Sequence, residues 1–195
     1  TLQSAGVIDD DLAWSGGKTH LVFTGDLLDR GAKSRDVLDL VMRLENEALR
    51  SGGRVPLVLG NHEVMNLPGD LRSVADGEYA AFVDDESRRE RKRWYTRFKK
   101  SQPDDMDEST VLSQFNKKAP PGFFGHRRAF RHDGVYGKWL LEKPLIVVVN
   151  ETAFVHGGLP PYVATNGLDG VNVTLKQDLI DYVVTRDYLA DEDVM

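Results

Sequence analysis

Three times along the chain a short hydrophobic run is stopped by a turn rich in glycine and polar residues. The run 19–24, with His20-Leu21-Val22-Phe23 at its centre, ends in Gly25-Asp26. The run 55–59 ends in Gly60-Asn61-His62-Glu63, and the run 152–155 ends in His156-Gly157-Gly158. Runs this short, bounded by glycine, read as buried strands. Between the first two lies a helical stripe, Val37, Leu38, Leu40, Val41, Leu44 and Leu49, opened by Ser34 as N-cap and closed by Gly52-Gly53. Strand, helix, strand in that order predicts a βαβ unit with parallel strands and an α/β fold. In such a unit the loops at the carboxyl ends of the strands gather along one edge of the sheet, where ligands bind.

The rest of the chain is organised around that unit. Residues 84–118 are dense in charge, as in "DDESRRERKRWYTRFKK", and read as a helical insertion, solvated except where Trp94 and Phe98 pack down. Pro120-Pro121-Gly122 closes it, and "GVYGKWLL" at 134–141 reads as a helical turn. Strands at 145–149 and 152–155 are joined by Asn150-Glu151, a hairpin turn. An amphipathic helix over 175–188 carries Leu175, Leu179, Tyr182 and Val183. At the start, 2–5 resembles the last turn of a helix stopped by Gly6, with no initiator Met, so the expectation is one partial domain over 1–195.

Composition excludes several chemistries. There is no cysteine, hence no disulfide, thiolate ligand or thiol nucleophile. The net charge of −6 disfavours general nucleic-acid or anionic-membrane binding, and no apolar run approaches the roughly 18 residues of a membrane span. A soluble, cytoplasmic protein is expected, with no nucleic-acid or membrane partner.

A single Asp, Asn or His after a strand is ordinarily a turn former or a helix cap. Here all three clusters occupy the same point in the strand pattern, and their side chains supply the oxygen and imidazole ligands that suit Mn, Fe or Zn. Paired divalent ions roughly 3.5–4 Å apart clamp phosphoryl oxygens and activate water. The glycines let the backbone turn sharply beside such ligands.

The stretches "GDLLDRG", "GNHE" and "HGGL", in this order, resemble the second, third and fourth signatures of the phosphoprotein phosphatases among the calcineurin-like metallophosphoesterases. The context "GKWLLEKPLIVVVNETAFVHGGLPP" most resembles the Shewanella-like branch. The resemblance implies a four-layer αββα sandwich, incomplete in this chain, and two divalent metal ions. It implies Asp26, Asn61 and His156 as metal ligands, with Asp26 bridging both ions and Asn61 also approaching the phosphate. It implies His62 as general acid oriented by Asp29, and Arg30 gripping the phosphate. Glu63 is expected to support the turn. Arg127 and Arg128 are further candidates for the phosphate, while His126 precedes the "HGG" motif and is a poor match to the family's last metal histidine. His20 is expected to be structural.

Two parts of the family pattern are missing. No Asp-x-His occurs, and no histidine follows His156. On that pattern the first ion keeps only Asp26, so this segment alone is expected to be inactive or nearly so. The implied activity of the parent is hydrolysis of phosphate monoesters, on phosphotyrosine or phosphoserine/threonine in proteins or on small phosphomonoesters. The alternatives are a dinucleoside polyphosphate hydrolase of the same superfamily and a non-catalytic pseudophosphatase or interaction module.

Overall fold

A computed structural model of the chain describes residues 1–159 and 161–192. The expected parallel pairing is present. Arg54 N–H donates to Thr19 O (3.1 Å), Leu21 N–H to Arg54 O (2.9 Å), Phe23 N–H to Pro56 O (3.0 Å) and Val58 N–H to Phe23 O (2.9 Å). The rung missing from this parallel ladder is the one Pro56 would donate, because proline has no N–H. The pairing therefore shows as two separate parallel bridges, His20–Arg54 and Phe23–Leu57, rather than as continuous strands. Leu59 N–H continues the order sideways, donating to Pro144 O at 3.0 Å.

The next segment forms the regular strands β1 (Ile146–Val149) and β2 (Thr152–Val155), paired antiparallel with Val149 opposite Thr152. Asn150 (φ 48°) and Glu151 (φ 62°) are both left-handed, as a two-residue type I′ turn requires. Asn172 stitches the edge of β1 to the last helix: its Oδ1 accepts Leu145 N–H and Ile146 N–H, and its Nδ2 donates to Ile146 O.

Helix α1 (Ser34–Arg50) buries Leu38, Val41, Leu44 and Ala48, one face at helical spacing. Leu49, expected on that face, is exposed, because Ala48 takes the core position and the next residue turns about 100° away. Ser34 is the first helical residue rather than the cap, which is Lys33. The Ser34 hydroxyl accepts Asp29 N–H instead (3.2 Å). Short helices α2 (Asn61–Asn66) and α3 (Asp76–Tyr79) follow, the latter running into a 3₁₀ turn, Ala80–Phe82.

The charged segment folds as α4 (Arg88–Lys100), capped by Ser87, and α5 (Glu108–Lys118), capped by Asp107. Helix α4 has no buried residue; Trp94, Tyr95 and Phe98 lean on a small second core of Phe115, Ala119 and Phe124. Helices α6 (Phe123–Phe130) and α7 (Val135–Leu141) return the chain to the main core. Helix α7 is tied to α1 by polar as well as apolar contacts: Tyr136 donates to Asp39 (2.7 Å), and Trp139 Nε1 and Lys143 Nζ donate to Glu45 (2.7 Å).

The last helix, α8 (Tyr162–Asp191), is longer than the sequence pattern predicts and is broken at Gly167 (φ 69°, ψ 170°). Val171 and Val183 are buried in it and Leu179 packs on the core, but Leu175 and Tyr182, assigned to its apolar face from sequence, are exposed. Among the described residues no helix is long and apolar enough to cross a membrane.

Candidate active site

The three glycine-flanked turns meet in space. The tightest approach is between the first two. A Cβ at Gly25 would lie 2.5 Å from Gly60 N, and one at Gly60 would lie 2.4 Å from Asp26 Oδ1. Both positions therefore exclude any side chain, and Gly25 in addition adopts φ 89°.

Glu63 organises the crossing. It is completely buried; its Oε2 accepts the N–H groups of Asp26 and Gly60, and its Oε1 accepts Leu27 N–H, all at 2.8 Å. This supports the turn, as expected from the sequence. The loop so held is strained: Asp26 (φ 56°), Asp29 (φ 68°) and Arg30 (φ 59°) are all left-handed without being glycine. Arg30 N–H donates to Ser73 O (3.2 Å), and its side chain is exposed at the loop tip.

Asp26, Asn61 and His156 converge. His62 N–H donates to Asp26 Oδ1 (3.2 Å), which turns Oδ2 toward His156 Nε2 at 3.3 Å. Asn61 Oδ1 lies 3.1 Å from the same nitrogen. His156 Nδ1 donates to Thr24 O at 2.7 Å, which leaves Nε2 as a lone pair facing two oxygen acceptors. Three acceptors pointing at one another need a cation or a proton among them. A carboxylate, an amide oxygen and a neutral imidazole suit a divalent ion. Of these three groups two are His or Asp, and among the described residues no group of three or more His, Cys, Asp or Glu side chains could hold a metal.

Behind this cluster, and out of solvent, lies His62. Its Nδ1 donates to Asp29 Oδ2 at 2.6 Å, and both side chains are 2% exposed. Asn66, which sequence reading did not single out, completes the pair: its Nδ2 donates to both oxygens of Asp29 (3.1 Å) and to His62 O (3.0 Å). The signal was present, since Asn66 stands four residues after His62 on one helical face. Glu78 was missed too. Buried in α3, it accepts Ser34 N–H (3.2 Å), while Ser34 in turn holds Asp29. No local pattern announces that contact.

The remaining candidates lie elsewhere. Arg127 is half-buried and donates to Asn66 O (2.7 Å) and Leu67 O (3.2 Å), capping the end of α2 rather than facing the cluster. Burial lowers its pKa to about 10. Arg128 turns outward to Glu90 (2.6 Å) and Asp85 O, contacts that do not support a phosphate role. His126 is caged by Tyr79, Phe82 and Phe130, and burial, with Arg127 second, drops its pKa to about 3. His20 contributes its backbone to the parallel bridge, in keeping with a structural role, and its side chain is exposed.

Residues 10–193 match the calcineurin-like phosphoesterase family. The chain is 34% identical over 183 residues to Shewanella-like protein phosphatase 2 of Arabidopsis thaliana, covering 86% of this chain and 44% of that protein. It is 28% identical over 195 residues to an uncharacterised protein of Schizosaccharomyces pombe, covering 97% and 47%. The crystal structure of a cold-active protein-tyrosine phosphatase of a psychrophilic Shewanella superposes with a TM-score of 0.62 at 27% identity, over 91% of this chain and 43% of that one. The chain thus spans less than half the length of the curated relatives it matches. With three signature turns crossing at one point and the match running through nearly the whole chain, the protein belongs to the calcineurin-like phosphoesterase family and has its fold, here with a small sheet.

Proposed function

We propose that this chain carries part of the active site of a metal-dependent phosphatase that hydrolyses phosphate monoesters on proteins, with phosphotyrosine as the first substrate to test. The observation that carries the reading is the convergence of Asp26, Asn61 and His156 directly beside the buried His62–Asp29 pair. Family members generally use two divalent ions; Asp26, Asn61 and His156 would hold one and Asp26 would reach the other. Such ions supply charge neutralisation and an activated water. Manganese is the first to try.

The protein's own groups do the rest. Asp29 orients His62 by accepting from Nδ1, so His62 can give a proton from Nε2 to a leaving oxygen only as the imidazolium, protonated at both nitrogens and paired with the Asp29 carboxylate. Arg30, exposed on a loop pinned at its backbone, offers a planar fork to phosphate oxygens. The relatives' names, protein phosphatase and protein-tyrosine phosphatase, support a phosphoprotein substrate.

The test is manganese-dependent release of p-nitrophenol from p-nitrophenyl phosphate by a full-length protein carrying this chain, and of phosphate from phosphotyrosine peptides. His62→Ala should lower kcat by roughly 10²–10⁴-fold. Asp26→Asn should also abolish the heat of manganese binding in calorimetry. Unchanged turnover in both variants would overturn the assignment.

A further inference from the structure

The buried pair of His62 and Asp29 is held from two sides. On the backbone side the Ser34 hydroxyl accepts Asp29 N–H (3.2 Å), which fixes the chain but leaves the carboxylate to turn about its own bonds. His62 Nδ1 occupies Oδ2 at 2.6 Å. Among the described residues, Oδ1 has one partner, the side-chain amide of Asn66. That amide nitrogen lies 3.1 Å from both carboxylate oxygens and 3.0 Å from His62 O, so its hydrogens are divided between the two members of the pair. Asn66 is the last residue of α2, and its backbone is pinned in turn. Arg127 Nη1 (2.7 Å) and Gly69 N–H (3.1 Å) both donate to its carbonyl.

The opposite end of the Asn66 amide has no comparable use. Asn66 is 1% exposed, and its Oδ1 meets no donor among the described residues. A buried acceptor without a partner is unfavourable, and an apolar side chain of similar size would fill the space without it. The amide cannot turn over for relief, since Oδ1 would then face the Asp29 carboxylate. Residue 66 is therefore a donor aimed at a buried anion while its own acceptor goes unmet. Packing alone does not account for it.

We propose, resting on the reading of His62 as general acid, that Asn66 is a positioning residue for proton donation. It fixes the plane of the Asp29 carboxylate against His62 Nδ1 and thereby holds the imidazolium with Nε2 aimed at the leaving oxygen. As the P–O bond to the leaving group breaks, its electron pair passes to the leaving oxygen, which takes the Nε2 proton. His62 is left neutral, with Nδ1–H still on Asp29. A phenol of pKa about 10, such as that of tyrosine, needs this proton far more than a nitrated phenol, whose anion is a much weaker base. Without Asn66, Asp29 Oδ1 is bare in the interior, so the carboxylate turns toward another donor and the ring it steers turns with it. A misplacement of ~1 Å can slow a reaction on the order of 10²-fold.

The test is manganese-dependent turnover of phenyl phosphate and of dinitrophenyl phosphate by a full-length protein carrying this chain, with Asn66→Leu and His62→Ala as variants. Asn66→Leu should lower kcat on phenyl phosphate about tenfold or more, with a several-fold smaller loss on the dinitrophenyl ester and KM within about twofold on both. His62→Ala should show the same steepening more strongly. In the chain itself, the Nδ1–H bond to Asp29 should give a low-field proton resonance that His62→Ala removes and Asn66→Leu shifts upfield or broadens. Far-UV circular dichroism establishes that the variants are folded; where leucine does not fit, Asn66→Ala, which adds no bulk, is read in the same way. Equal losses on the two esters in Asn66→Leu, or a resonance that it leaves in place, would overturn the positioning role while steepening in His62→Ala upholds the acid. Equal losses in His62→Ala would overturn the acid itself, and the role of Asn66 with it.

Discussion

Glu63→Ala removes, in one substitution, the acceptor of three backbone N–H groups, those of Asp26, Leu27 and Gly60. The Gly60 bond is buried and the other two are partly so. A buried donor left unpaired costs roughly 1–3 kcal/mol and a partly solvated one nearer ~1, so the loss comes to about 3–5 kcal/mol. Glu63→Gln is the control that separates acceptor number from size. The amide oxygen can take the place of Oε2, which serves two donors, leaving the amide nitrogen opposite Leu27 N–H. One bond is then lost and a donor faces a donor, at a cost of about 1–2 kcal/mol. Urea unfolding followed by far-UV circular dichroism and linear extrapolation should rank the parent above Glu63→Gln and that above Glu63→Ala. Against a total of ~5–15 kcal/mol for a domain, the alanine variant should lose a large share. The left-handed residues of the loop should relax at the same time, seen as faster amide exchange at Asp26 and Leu27. An alanine variant within about 1 kcal/mol of the parent would refute the reasoning, because the loop would then hold itself. Equal losses for the two variants would refute the acceptor count.

Three further outcomes follow from the same contacts. Gly60→Ala places a Cβ 2.4 Å from Asp26 Oδ1 and should cost at least ~2 kcal/mol, read as a fall in Tm; an unchanged Tm would mean that the two turns do not cross so closely. His126, held neutral by burial with a pKa of about 3, takes up a proton in the unfolded chain near pH 6.5 but not in the folded one, so it lowers stability as pH falls from about 6.5 toward 3. At pH 5 this amounts to about 2 kcal/mol, and His126→Phe should flatten that part of the stability–pH curve without loss at pH 7. Arg127→Leu removes the donor to Leu67 O and one of two to Asn66 O, which keeps Gly69 N–H, and should cost about 1–2 kcal/mol by urea unfolding; Arg127→Lys should recover only part of it, since one ammonium lacks the planar fork.

The parts of the fold legible in the sequence were those set by local chemistry. The hairpin at Asn150-Glu151, the α1 stripe and the parallel pairing of 19–24 with 55–59 all follow from residue pattern and turn residues. The errors fall where a neighbour, not the local pattern, decides. Tyr182 has the right period for the core, but Val183 and Asp187 are the positions that face inward on α8. Ser34 has the chemistry of a cap, yet its hydroxyl serves Asp29. Pro56 breaks a ladder whose hydrophobic pattern is intact.

For the candidate site the division is similar. "GDLLDRG", "GNHE" and "HGGL" by themselves determined which side chains could bind cations or move a proton, because carboxylate, amide and imidazole chemistry is a property of residue type. Only the tertiary structure decided that Asp26, Asn61 and His156 share one point, that Asn66, Ser34 and Glu78 stand behind Asp29, and that Arg128 faces Glu90. These are contacts between residues far apart in the chain. Their existence depends on how the glycine-stopped turns cross and how α2 and α3 pack against them, which local pattern does not specify.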